Sequence, residues 1–477
     1  MKIKINLNDM KFRYDIYQMF NIFYTFDDID FVEEDEEYKI FITEDSIEFS
    51  LKKKDYNKVK SLLGDNKKEI IKKFIFENLS NITGEKYPWG TLVGIRPSKI
   101  AFRLLKEGKS DEDIIEYFKN TYDSSKDKAE LCIEVAKREE EFVNKDENSI
   151  SIYVGMPFCP TRCLYCSFAS NPIKGCEKLV DPYLEALSYE IDKIKEYVES
   201  KNISIETVYF GGGTPTAVND IQFHNILKRV YNSFVKNKNI KEFTVECGRP
   251  DSITEKKLLS MKEFNVSRIS INPQSMNDNT LKEIGRHHSV LDVKEKFNLA
   301  RKLGFNNINM DIIVGLPKEN YSNIKRTCEE IKLLNPESLT VHGMSIKRAS
   351  RLHENIILNK EVNIPNQDEL NTMYNETKYL AKELNMNPYY MYRQKNMVGN
   401  MENVGFSKEG MECIYNIEMI EDKQSIIALG ADAVSKVVFL REDRIERFAN
   451  VKDVREYVKR VEEMVKGKIQ LLDTLYK

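Results

Sequence analysis

Three cysteines fall within eight positions of the chain: Cys159, Cys163 and Cys166, in GMPFCPTRCLYCSFAS (155–170). Thiolate sulfur is a soft ligand that suits zinc or an iron–sulfur centre. A structural zinc site wants four protein ligands, and so does a ferredoxin-type cluster. The spacing Cys-x3-Cys-x2-Cys therefore leaves two readings: a fourth ligand elsewhere, or a metal centre with one open corner. Zinc loops usually use paired Cys-x2-Cys units, and the sequence has no second pair.

The other five cysteines, Cys132, Cys176, Cys247, Cys328 and Cys413, stand singly. They read as small core residues. Eight cysteines in 477 residues do not make a disulfide framework, so the expected setting is a reducing cytoplasm. A net charge of −3 demands neither a nucleic acid nor an anionic surface as partner. No apolar run approaches the length of a membrane span, and the first residues, MKIKINLNDMKFRYD, lack the apolar core of a signal peptide.

Elements that must position the thiolates recur between Ser151 and Arg348. Short apolar runs, SIYVGMP (151–157), ETVYF (206–210), EFTVEC (242–247), RISINP (268–273), NINMDIIVGLP (307–317) and SLTVHGMSI (338–346), alternate with amphipathic stretches. In YLEALSYEIDKIKEYV the apolar residues at 183, 184, 187, 191, 194, 197 and 198 form a helical stripe. Asp220 and Gly304 look like a helix start and a helix stop. Six strands with helical connections imply parallel βα units and an α/β fold, either a partial barrel or a doubly wound sheet. In both, chemistry collects at the carboxyl ends of the strands. The cysteines follow the first run, Gly211-Gly212-Gly213 the second, Glu246 ends the third, Gln274 follows the fourth, and Asp311 lies in the fifth.

Cys-x3-Cys-x2-Cys with an aromatic, Tyr165, before the third cysteine resembles the signature of radical S-adenosylmethionine (SAM) enzymes. The ordered phrases around it, Tyr153-Val-Gly-Met-Pro-Phe-Cys, YFGGGTPT (209–216), RISINPQS (268–275) and MDIIVGLP (310–317), resemble oxygen-independent coproporphyrinogen III oxidases. WGTLVGIRPSK (89–99), VECGRPDSIT (245–254), YYMYRQKNMVGN (389–400) and IIALGADAVSK (426–436) are most similar to the HemZ branch. The resemblance implies a partial (β/α)6 barrel over 151–348. An N-terminal accessory α+β region (1–150) would precede it, and a mostly helical C-terminal region covering the substrate (349–477) would follow.

It also implies a [4Fe–4S] cluster on Cys159, Cys163 and Cys166, with SAM on the fourth iron. Glycines without Cβ atoms, Gly212 and Gly213, would let backbone approach the methionine end of SAM, with a hydroxyl contact from Thr214. Tyr153, Glu246, Gln274, Arg286, Asp311 and the backbone of Val434 match the family's positions near cluster and SAM. The carboxylate of Asp311 can accept from ribose hydroxyls, and Arg286 can pair with a carboxylate. Arg393 and Lys395 are candidates to meet substrate propionates. The implied reaction converts coproporphyrinogen III to protoporphyrinogen IX, with a flavodoxin or ferredoxin as electron donor. A haem-binding chaperone without oxidase activity, or another radical SAM reaction on a tetrapyrrole, is the alternative. The chain departs from well-studied members at Phe168, where they carry a fourth cysteine. His287 and His288 are adjacent and point to different sides, so they do not form one metal site.

Overall fold

The computed structural model describes residues 2–476 apart from 25–27, 65, 95, 145, 169, 359–362 and 395. Two compact units emerge. The first comprises Met1–Lys137 with Asn366–Thr372 and Tyr392–Glu402, and the second comprises Arg138–Pro365, Met373–Met391 and Asn403–Lys477.

The first unit opens with a five-stranded sheet in the order Asp28–Phe31, Lys2–Leu7, Tyr38–Ile42, Ser46–Leu51, Tyr56–Ser61. YKIFI buries every second residue, Tyr38, Ile40 and Ile42, as a strand with one solvated face must. Helices Arg13–Phe23 and Lys67–Thr83 supply Ile16, Phe20, Ile71 and Ile75 to the same core. Further along, the indole of Trp89 donates to Glu402 at 2.7 Å, and Lys128 donates to the other carboxylate oxygen at 2.6 Å. A segment some 270 residues later in the chain thus completes this unit's interior.

An eleven-stranded sheet organises the second unit. Six strands expected from the sequence form in chain order: β1 (Ser149–Met156), β2 (Ser204–Gly212), β3 (Glu242–Gly248), β4 (Arg268–Ile271), β5 (Ile308–Val314) and β6 (Ser338–Gly343). Each pairs in parallel with the next. The C-terminal third extends both edges. There, β7 (Asn387–Tyr392) and β8 (Asn403–Ser407) lie beyond β6, while β9 (Ser425–Leu429), β10 (Val434–Phe439) and β11 (Arg444–Ala449) lie beyond β1. β9 runs parallel to β1, and β8, β10 and β11 are antiparallel to their inner neighbours.

The connecting helices are Glu177–Ser200, Asp220–Val230, Glu255–Glu263, Val290–Lys302 and Tyr321–Leu334. Asp220 is the first helical residue rather than the cap; Asn219 caps instead. Its side chain accepts from Gln222 N, while Gln222 reaches back to Asn219 N, satisfying two end donors at once. Gly304, at φ +83°, follows the fourth of these helices, as its stop signal implied.

Candidate active site

The runs that stand out in the sequence as short and apolar carry a polar row on one face. Strand pairing sets Tyr153 beside Tyr209, Tyr209 beside Thr244, and Thr244 beside Arg268. The next level sets Glu246 beside Ser270 and Ser270 beside Asn309, and Asp311 pairs with Thr340. Paired residues in a sheet share a face. β1 to β6 therefore present one polar surface, backed by valines and isoleucines on the other. Buried polar groups cost free energy unless hydrogen-bonded, and most of this row is. Arg268 donates to Ser338 at 2.9 Å, Asn309 to Asp311 at 2.6 Å, and Thr340 to Asn309 at 3.2 Å.

At the carboxyl ends of these strands lies the cysteine loop, held from two sides. Leu164 N donates to Ile284 O at 2.9 Å, and Thr161 Oγ1 donates to Gly285 O at 2.9 Å. On the other side Leu352 N donates to Leu164 O at 3.0 Å, and Arg162 reaches Ala349 O at 2.7 Å. Cys159 and Cys163 are buried and Cys166 is half-buried. Burial pushes the Cys159 thiol up to about 12, and the neighbouring Cys166 and Cys163 add to the shift, against a hydrogen bond from Thr214. That thiol loses its proton readily only when a metal takes its place.

Gly213 is required by close approach. A Cβ there would sit 2.9 Å from Cys159 Sγ and 2.7 Å from Phe158 O. Its N–H bonds Met156 O at 2.6 Å, and Thr214 N bonds Phe158 O at 2.8 Å, stitching the glycine turn to the cysteine loop. Gly212 has φ +105°, a region that side-chain-bearing residues rarely adopt. Thr214 Oγ1 lies 3.6 Å from Cys159 Sγ.

Glu246 accepts from Tyr209 OH at 2.8 Å and from Gly212 N at 3.2 Å. Burial, reinforced by the charge of Asp311, raises its carboxyl to about 7. Burial also works against ionisation of Asp311, but His342, its Nε2 3.7 Å away, and a hydrogen bond from Asn309 outweigh it and hold that carboxyl below its usual range. Tyr153 stacks with Tyr209 (centroids 6.2 Å apart) and with Tyr415 (6.2 Å), and Tyr209 lies 4.5 Å from Tyr415. Gln274 holds φ +68°, bonded through Asp311 O and Ile313 N across β5.

Arg286 is buried, donates to Asn272 O, and lies beside Cys163 and Tyr165. Val434 begins β10 and is exposed. Before it, Gly430 N donates to a buried carboxylate, Glu190, at 2.7 Å. Phe168 is 66% exposed, with the Lys347 ammonium 5.5 Å above its ring. His287 faces solvent and His288 is buried, so the two do point apart. Arg393 belongs to the first unit. Its guanidinium there meets Leu92 O (2.6 Å), Asn400 O (2.6 Å) and Met401 O (3.3 Å), with Trp89 stacked at 4.8 Å. Lys395 lies outside the described residues.

Several site residues escaped the sequence reading. Ser270 and Asn272 are buried, and Ser270 Oγ and Asn272 Oδ1 lack a hydrogen-bond partner among the described residues, as does Arg286 Nε. Their signal was available: Arg268, Ser270, Asn272 and Gln274 alternate with Ile269, Ile271 and Pro273, the period of a strand with one polar face. Tyr209 follows the same alternation in β2. Tyr415 carries no local signal, and Arg249 stands in VECGRPDSIT, a phrase that marks the family without marking this side chain.

These features fit a cluster and a polar cofactor. A loop of three soft donors packs directly against Gly212 and Gly213, where a Cβ would meet Met156, Phe158 and Cys159. Orphaned donors and acceptors on β4 and after it suit a ligand rich in hydroxyls and amines. Cys159, Cys163 and Cys166 would hold a [4Fe–4S] cluster through three irons.

Comparison with known proteins agrees. Residues 153–331 match the radical SAM superfamily. The chain is 41% identical over 409 residues to the oxygen-independent coproporphyrinogen-III oxidase-like protein HemZ of Bacillus subtilis, covering 84% of this chain and 81% of that one. It is 28% identical over 274 residues to the heme chaperone HemW of the same organism, covering 57% of this chain and 68% of the relative. Coproporphyrinogen III oxidase HemN of Escherichia coli shares the fold, with a TM-score of 0.53 at 20% identity over 68% of this chain and 72% of the other. No described helix is long and apolar enough to cross a membrane. The chain thus belongs to the radical SAM superfamily, within the HemZ family of coproporphyrinogen-III oxidase-like proteins.

Proposed function

We propose that this protein oxidatively decarboxylates two propionates of coproporphyrinogen III to vinyl groups, giving protoporphyrinogen IX in the cytoplasm. The observation that carries the reading is the polar strand face of β1 to β6 ending at a three-thiolate loop. Cys159, Cys163 and Cys166 would hold a [4Fe–4S] cluster that, with SAM and an electron from a flavodoxin or ferredoxin, would supply the radical chemistry that takes a hydrogen atom from the substrate.

The chain's own residues bind and orient. Gly212, Gly213 and Thr214 would border the methionine end of SAM, where the ionised carboxylate of Glu246 would accept a hydrogen bond from its amino group. Asp311, kept ionised by His342 and Asn309, accepts from ribose hydroxyls. Gln274, Arg286 and the backbone at Val434 complete the enclosure. Tyr153, stacked on Tyr209 and Tyr415, walls the pocket and excludes water.

One observation favours a second reading. Phe168 replaces the fourth cysteine of well-studied oxidases with an exposed aromatic ring, which suits holding a flat tetrapyrrole without converting it. The relatives named heme chaperones belong to the same comparison. Anaerobic turnover of coproporphyrinogen III by cluster-reconstituted protein separates the two. The oxidase releases 5′-deoxyadenosine in step with protoporphyrinogen, and Cys163→Ala loses both. Stoichiometric haem binding with no porphyrin product overturns the oxidase reading.

A further inference from the structure

VECGRPDSIT contributes Glu246 to the cofactor pocket, but the proposed function makes no use of the residues that follow. Arg249 is 3% exposed. Its guanidinium grips Asp251 with two parallel bonds, Nε to Oδ1 at 3.0 Å and Nη2 to Oδ2 at 2.8 Å. The remaining amino group, Nη1, donates to Thr161 Oγ1 at 3.0 Å and to Cys163 Sγ at 3.7 Å. A short turn, Pro250–Ser252, joins the two charged residues, and Ser252 N closes it on Arg249 O at 3.0 Å. Nothing in this arrangement leaves the guanidinium free to swing.

The three sulfurs are not served alike. By hydrogen bond, Cys159 meets a neutral hydroxyl, Thr214, at 3.6 Å, and Cys166 meets another, Ser170, at 3.8 Å, with the Lys347 ammonium acting on Cys166 only through its charge. Cys163 receives the guanidinium of Arg249, with Arg286 also beside it. As a neutral pair, Arg249 and Asp251 cost less to bury than a lone cation, while the positive end of the pair faces the sulfur. Reduction adds one negative charge to an iron–sulfur centre. A fixed donor on a ligating thiolate stabilises that charge, the more so where water is excluded.

We propose that Arg249, held by Asp251, is a positioning residue that raises the reduction potential of the cluster through Cys163, so that a weaker cellular donor can reduce it. This rests on the cofactor reading above. The test is a dithionite titration of the reconstituted protein followed by the electron paramagnetic resonance signal of the reduced cluster, with iron, sulfide and SAM binding measured on the same samples. Arg249→Gln is expected to shift the midpoint to more negative potential at unchanged iron content, and Arg249→Lys to recover at least half the shift. Asp251→Asn, which removes the negative end and keeps an acceptor, shifts it the other way; this arm carries the test if Arg249→Gln assembles no cluster. An unshifted Arg249→Gln, a lysine variant as low as the glutamine one, or an Asp251→Asn shift of the same sign overturns the inference and leaves the cofactor reading intact. Wild-type protein with no reducible cluster signal overturns both.

Discussion

Tyr209 donates its phenolic hydrogen to Glu246 at 2.8 Å, and the other oxygen of the same carboxylate takes the N–H of Gly212 at 3.2 Å. A residue of β2 thereby orients an acid of β3 toward the glycine turn that borders the cysteine loop. Burial and the nearby charge of Asp311 hold Glu246 at about 7, so it is half protonated at neutral pH. The ionised form accepts more strongly from the N–H groups of the SAM amino nitrogen. Affinity for SAM should therefore rise with pH, by roughly tenfold between pH 6 and pH 8, as the carboxyl ionises. Glu246→Gln should bind weakly at every pH, with a flat profile. Calorimetry with SAM across that range decides it, and a wild-type affinity independent of pH would refute the role.

Gly213→Ala should abolish cluster assembly without unfolding the protein. The added Cβ would press on Cys159 Sγ at 2.9 Å and on two backbone carbonyls, so the cysteine loop must shift. Gly94→Ala is the control, since its Cβ would meet nothing within 4 Å. Iron and sulfide analysis after reconstitution gives the readout. Full iron content in the Gly213 variant would show that the loop yields to the extra atom.

The βα alternation and the thiolate loop were legible in the sequence because both are local. Strand periodicity and helical stripes repeat within a dozen residues, and one loop carries all three cysteines. The polar inner face was legible too, in the alternation of Arg268, Ser270 and Asn272, but isoleucines between them made the run read as apolar throughout. What stayed hidden depends on contacts between distant positions. Tyr415 stacks on Tyr209 from over 200 positions away, and nothing in IYNIEMIE announces it. Arg393 sits in an aromatic-rich stretch that suggested an anionic partner. Its guanidinium instead bridges carbonyls of Leu92 and Asn400 over the Trp89 ring. That pairing is set by tertiary packing, which local patterning does not encode.

Stability should fall as pH rises from about 5 to about 8.5, because three buried acids have raised values. Burial lifts Glu418 to about 8 and both Glu319 and Glu246 to about 7. A carboxyl raised in the folded state contributes stability below its unfolded value, and that contribution is lost as pH passes through the folded one. Glu418 accepts from Ser151 at 2.6 Å and Thr207 at 2.9 Å on one oxygen, while the other has no partner among the described residues. Its share is up to roughly 5 kcal/mol. Glu418→Gln should flatten part of the slope in urea unfolding measured at several pH values. A slope unchanged by the substitution would place the dependence elsewhere.

Glu190 and Lys468 form an ion pair at 2.5 Å with both side chains fully buried. The carboxylate also accepts from Tyr457 OH at 2.6 Å, Gly430 N at 2.7 Å and Asn450 Nδ2 at 2.9 Å. Lys468 further donates to Ala428 O at 2.5 Å, at the end of β9. The pair thus ties the C-terminal helix, Val454–Leu472, to the turn between β9 and β10 that leads to Val434. Breaking a buried pair leaves an uncompensated charge, so Lys468→Met should cost about 3–5 kcal/mol. Glu190→Gln combined with Lys468→Met removes both charges and should recover a substantial part of that loss, a coupling visible in a double-mutant cycle. Because Gly430 hangs from the same carboxylate, the single variant should also weaken SAM binding at temperatures where it remains folded. Additive single and double effects would mean the two charges do not depend on each other, and unchanged SAM affinity would mean the turn holds its place without them.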